Sequence, residues 1–155
     1  MSTRRQRTTP RRSETQPRRV APFLASAAGG PWPPSRISID QVRKGLPLKE
    51  LDDLAATLHV DRLDLAEILG TSVRTLQRKA EASNRLAAAA SDRLARIVRI
   101  HELAARVLGA EDKAASWLTS RSRALGEVPL RMLDTDIGTQ RVEQELRQIE
   151  FGMPF

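Results

Sequence analysis

Ser72, Arg74, Thr75, Gln77 and Arg78 crowd into seven consecutive positions and are the side chains of this chain best suited to recognition chemistry. On one helix they share an outer face while Val73 and Leu76 pack the helix back onto its neighbour. Arg can grip guanine with two hydrogen bonds and Gln can grip adenine in the same way. Ser or Thr at a helix start can hold a phosphate. Each good base contact contributes about 1–3 kcal/mol of discrimination. The same set also fits the solvated face of an ordinary helical pair, because two short helices joined by Gly-Thr-Ser are common.

Positioning these groups falls to the preceding stretch. Asp61 can cap a helix over about 62–69 that presents Leu65, Ala66 and Leu69 inward. The small Ala66 allows a close crossing, and Gly70 supplies the positive φ that ends one helix and opens a tight turn. Thr71 or Ser72 then caps a helix over about 73–82. This is a helix-turn-helix pattern. One such unit seldom binds DNA tightly, so a homodimer reading two half-sites of an operator is expected, with the later helices as candidates for the dimer contacts.

The rest of the chain from residue 37 reads as helical, with no convincing strand and no internal repeat. A short helix over Ile39 to Lys44 stops near Gly45 and Pro47. In Leu48 to Leu58, the residues Leu51, Leu54, Ala55 and Leu58 form one apolar face. Ser91 is expected to cap the longest helix, about 92–109, whose two apolar stripes imply contacts on two sides and a central position. Shorter helices follow over Glu111 to Thr119 and about 129–133, the latter opened by Pro129. A final helix over about 139–151 carries Val142, Leu146 and Ile149 on one face.

Catalysis finds little support. The two histidines are His59, at a helix end where a protonated ring suits the dipole, and His101, on the apolar stripe seven residues after Leu94, where a hydrogen-bonded core histidine is the better reading. Asp134 and Asp136 could pair as carboxylates, but capping in a turn explains them better. No His/Asp/Glu cluster has metal spacing and no Gly-rich phosphate loop is present, so no enzyme, metal or cofactor is expected. The absence of cysteine excludes disulfides and thiolate sites and fits a cytoplasmic protein. No apolar run approaches the roughly 18 residues of a membrane span.

The net charge of +7 is unevenly placed. Residues 1–36 carry eight arginines against one glutamate, whereas the remaining 119 residues carry 18 basic and 18 acidic side chains. Six of the nine prolines also lie before residue 35, so 1–34 reads as a disordered basic tail. It can hold phosphates without reading sequence, or it can be a solvated tail or lie upstream of the true start. Arg18-Arg19 before Val20 to Gly30 resembles a short twin-arginine signal, but the apolar stretch is only about ten residues and contains Pro22, which argues against export. At the other end, Phe151-Gly152-Met153-Pro154-Phe155 is an apolar terminus that can pack on its own domain or plug a partner's cleft.

Several stretches in fixed order resemble antitoxins of the Xre/MbcA/ParS type, the partners of RES-domain toxins. They are Gly45-Leu46-Pro47, Leu65 to Arg78, Ser91-Asp92-Arg93-Leu94, Ala114 to Leu118, Pro129-Leu130 with Leu133-Asp134-Thr135, Gly138, and Leu146 to Gly152. The resemblance covers about 36 to 155. It implies an all-α fold with a helix-turn-helix DNA-binding region over 35–90 and a C-terminal toxin-binding region over 91–155. It also implies repression of the chain's own operon and a toxin that consumes NAD, whose active-site entrance is covered by the antitoxin's C-terminal end. Carried onto this chain, DNA contact falls to Ser72, Arg74, Thr75, Gln77 and Arg78. Toxin contact falls to Trp117, Asp134, Arg141, Glu145, Gln148, Phe151, Met153 and Phe155. The tail lies outside the resemblance, and Val128 stands where the family often has Thr, which removes a cap from the short helix. A helix-turn-helix regulator without a toxin, or a chromosome-organising protein using the Arg-rich tail, are the competing readings.

Overall fold

The computed structural model describes residues 36–152, and among these it contains eight α-helices and no strand. They are α1 (Ile39–Lys44), α2 (Leu48–Leu58), α3 (Arg62–Ile68), α4 (Val73–Ala82), α5 (Ala88–Leu108), α6 (Glu111–Thr119), α7 (Pro129–Met132) and α8 (Asp136–Glu150). The expected tail, 1–34, lies outside the described residues, as do Met153 and Phe155.

The two apolar stripes of α5 account for its place at the centre. Leu94, Ile97, Val98, Ile100, Leu103 and Ala104 are all buried, and α1, α6 and α8 pack around them. α2 lies against α3 and α6, with Leu51, Leu54 and Leu58 inward. Because α5 crosses the 90/91 division, the two halves of the chain share one helix and one core. His101 is buried on that helix, as its position on the stripe predicts.

Two helix starts differ from the sequence expectation. α5 begins at Ala88, three residues before Ser91, and its N-cap Ala87 makes no side-chain cap hydrogen bond. Ser91 is instead wholly buried inside the helix, where its Oγ accepts a hydrogen bond from the Leu46 N–H at 2.8 Å. A hydroxyl that could cap its own helix is used to satisfy a distant backbone donor, because leaving that donor dry costs more than an open helix end in water. α8 likewise begins at Asp136 rather than near 139, and its cap is neither aspartate but Thr135, whose Oγ1 accepts from the Gly138 N–H at 3.1 Å.

A short antiparallel bridge between Pro47 and Arg85 ties the α1–α2 loop to the α4–α5 loop. The Leu48 N–H donates to the Asn84 carbonyl at 3.0 Å, and the Leu86 N–H to the Leu46 carbonyl at 2.8 Å. The Arg85 guanidinium adds a hydrogen bond to the Gly45 carbonyl at 2.6 Å. α4 is therefore anchored at its far end as well as at its turn.

Candidate nucleic-acid interface and partner surface

The α3–turn–α4 unit has the expected geometry. Leu65, Ala66 and Leu69 are buried, and Gly70 takes φ +68 at the turn. The end of α3 is held from the central helix, since Arg93 Nη1 on α5 donates to the Leu69 carbonyl at 2.9 Å and so satisfies an otherwise open helix-end acceptor. Glycine is favoured at residue 70 for its φ, and a Cβ there would also push the Arg93 guanidinium off the Leu69 carbonyl. Sequence spacing had no signal for Arg93, whose partner lies 24 residues away.

Ser72 is the cap of α4: its Oγ accepts from the Thr75 N–H at 3.2 Å and lies 2.9 Å from Thr75 Oγ1. Arg74, Gln77 and Arg78 are exposed on α4 and Thr75 is half-buried beside the cap. The structure therefore brings all five expected DNA contacts onto one helix and its cap. The first turn of α4 contains no acidic residue, which leaves the positive end of its dipole open to an anion. One expectation fails: Leu76 packs inward, but Val73 is 46% exposed. At the first helical position its side chain stands at the edge of the α3–α4 border beside Leu63 and is only partly covered.

The C-terminal candidates divide. Asp134 and Arg141 are exposed and Phe151 is 61% exposed, whereas Trp117 and Gln148 are partly buried. Trp117 packs against the core and lines a surface hollow with Leu108, Asp112 and Lys113. Ile137, Arg141, Gln144, Gln148 and Phe151 recur at steps of four and three residues, so they form one outward line along α8. Ile137 is 74% exposed and belongs to this line although sequence reasoning passed over it; its heptad spacing from Phe151 was the available signal.

Glu145 differs from the others in being buried, at 6% exposure. Burial raises its carboxyl pKa above the ordinary value. A carboxylate that is harder to ionise in the fold stabilises the protein fully only below its unfolded pKa, and that contribution is lost as pH rises through the folded value. Glu145→Gln should therefore raise the melting temperature at pH 7 and change it little near pH 4, as followed by circular dichroism. An equal shift at both pH values would show that ionisation is not the cause. His101 acts in the opposite pH direction. Burial, opposed by Glu111, lowers its pKa, so its contribution is complete above about pH 6.5 and fades as pH falls below that value. The ring is a hydrogen-bonded core histidine, bonded to the Glu111 backbone, while its Nε2 is buried without a partner.

Among the described residues no group of three or more His, Cys, Asp or Glu is placed to hold a metal ion, and no helix is long and apolar enough to cross a membrane.

Two family models match successive parts of the chain and meet within α5. Residues 38–99 match the antitoxin Xre-like helix-turn-helix domain, and residues 103–152 match the antitoxin Xre/MbcA/ParS C-terminal toxin-binding domain. The antitoxin Xre of Photorhabdus laumondii is 32% identical over 114 residues, which cover 72% of this chain and 77% of that protein. This chain belongs to the Xre antitoxin family.

The antitoxin Xre of Pseudomonas putida is 40% identical over 81 residues, covering 52% of this chain and 51% of that protein. A Sphingobium protein named Prs ADP-ribosylating antitoxin is 32% identical over 149 residues, covering 90% of this chain and 92% of its own length. Membership makes this chain an antitoxin with a helix-turn-helix domain and a toxin-binding domain, and points to a regulatory, non-enzymatic protein with a cognate toxin. α8 and its outward line fall inside the toxin-binding match.

Proposed function

We propose that this Xre-family antitoxin neutralises a RES-domain, NAD-consuming toxin by laying its C-terminal end over the toxin's active-site entrance, and that a cytoplasmic homodimer represses its own operon through α4. The observation that carries the toxin half is the outward line of α8, apolar at both ends with Ile137 and Phe151 and polar between them with Arg141, Gln144 and Gln148. Exposed apolar anchors flanking polar groups are what a partner's cleft buries. The name of the Sphingobium relative, an antitoxin associated with ADP-ribosylation, fits a partner whose reaction draws on NAD, because NAD is the usual donor of ADP-ribose. For the DNA half, Ser72, Arg74, Gln77 and Arg78 are exposed toward the positive end of α4, with Thr75 half-buried beside its cap.

The test is NAD loss catalysed by the product of the neighbouring gene, with the full-length antitoxin titrated in. Wild-type protein should stop NAD loss near an equimolar ratio. The double variant Arg141→Glu, Phe151→Asp should need at least tenfold more, because both side chains are exposed and the fold is kept. No inhibition by wild type at any ratio would leave a DNA-binding regulator without this toxin. Inhibition equal in both proteins would move the contact away from α8.

A further inference from the structure

Val73 occupies the first position of α4, directly after the cap Ser72, and is 46% exposed although the helical pattern assigns it to the packing side. It stands four residues before Gln77, so the two side chains are neighbours on the helix surface, about 5–6 Å apart at Cβ. Both line one shallow groove of about 190 Å³, together with Arg62, Leu63, Leu76 and Ala80. Leu63 is itself 48% exposed, so the groove has two apolar walls open to solvent and a polar amide at its edge.

We infer that Val73 reads sequence: it packs on the 5-methyl group of a thymine in the DNA major groove while Gln77 beside it takes an adenine edge. The inference rests on the DNA-binding reading of α4. The thymine methyl and the adenine N6 and N7 both lie on the major-groove edge of an A·T pair, and an apolar side chain is what distinguishes the methyl. A recognition helix brings its N-terminal residues to the base edges, and Val73 is the first of them. Stacked pairs are about 3.4 Å apart, so two side chains one helical turn apart reach the same pair or adjacent pairs. The absence of an acidic residue in this turn leaves nothing there to repel the flanking phosphates.

The experiment selects from a pool of random-sequence DNA duplexes with full-length wild-type protein and with Val73→Ala. Wild type should enrich a site with thymine at a fixed position in each half, and Val73→Ala should lose that one preference while keeping the others. Replacing that thymine by deoxyuridine, which lacks only the methyl group, should weaken wild-type binding about fourfold, the equivalent of one buried methyl at roughly 0.8 kcal/mol. The same replacement should leave Val73→Ala binding unchanged. Identical preferences in the two proteins, or an equal loss on deoxyuridine in both, overturns the assignment. Unchanged preferences with a shift in oligomeric state, read by light scattering, would give the groove to a second copy of the chain instead. Wild type enriching no sequence would overturn the DNA-binding reading itself, and this inference with it.

Discussion

Gly138→Ala is expected to destabilise this antitoxin by about 3 kcal/mol, although the same exchange in an exposed helix interior is stabilising by nearly 1 kcal/mol. Gly138 lies in the first turn of α8 and is buried, and its φ is not in the left-handed region, so backbone freedom is not the issue. The obstacle is space. A Cβ there would overlap the Met132 carbonyl oxygen at the end of α7 and lie 2.8 Å from its carbon and 2.9 Å from Thr135 Oγ1. These are backbone and cap atoms, which cannot swing aside as the end of a long side chain can.

Relief requires α8 to move off α7, and α8 carries Val142 and Leu146, both fully buried, and the ion pair from Glu143 to Arg99 of α5. Thermal melts should show a fall on the order of 10 °C, with weakened toxin neutralisation. Gly109→Ala is the control: φ there is +79 but a Cβ meets nothing within 4 Å, so only the left-handed backbone penalty of about 1–2 kcal/mol applies. An unchanged or raised melting temperature for Gly138→Ala would show that the α7–α8 approach is not tight in solution.

The second large effect is at Ser91. Ser91→Ala removes the acceptor of the Leu46 N–H, and both residues are buried, at 0% and 2% exposure. The donor then has no water to turn to, and the cost of an unsatisfied buried amide is about 1–3 kcal/mol. Two features push the value toward the upper end. The bond spans 45 residues, so it joins the α1–α2 loop to the central helix. The same loop also carries the Pro47–Arg85 bridge, which aligns the end of α4. If Ser91 were only a helix cap, the substitution would fray the start of α5 and leave Leu46 untouched. Amide hydrogen exchange separates the two. The role described here predicts faster exchange at Leu46, and unchanged exchange there would refute it.

α1, α2, α4 and α6 begin and end where the residues place them; α1 is stopped by Gly45 after Lys44, and α2 has its own apolar face of Leu51, Leu54, Ala55 and Leu58. The start of α5 is misjudged because a hydroxyl that can cap is visible in sequence while the distant donor that claims it is not, and the start of α8 because three neighbouring residues can each cap it. Ser91 answers to Leu46, and Thr135 rather than its neighbouring aspartates closes the start of α8. Both outcomes depend on which backbone groups become buried, a property of the assembled fold.

The sequence by itself determined the helical class, the inward set Leu65, Ala66 and Leu69, the turn at Gly70, and the five polar side chains of α4. All of these follow from contacts within a few residues along the chain, where spacing alone dictates which side chains share a face. Packing in three dimensions sets the partial exposure of Val73, the burial of Glu145, the hold of Arg93 on the end of α3, and which flank of α8 stays open. Those depend on where α5 and α7 lie against α3 and α8. Such long-range placements are set by packing a shared core, and no local pattern encodes which flank of a helix that core will cover.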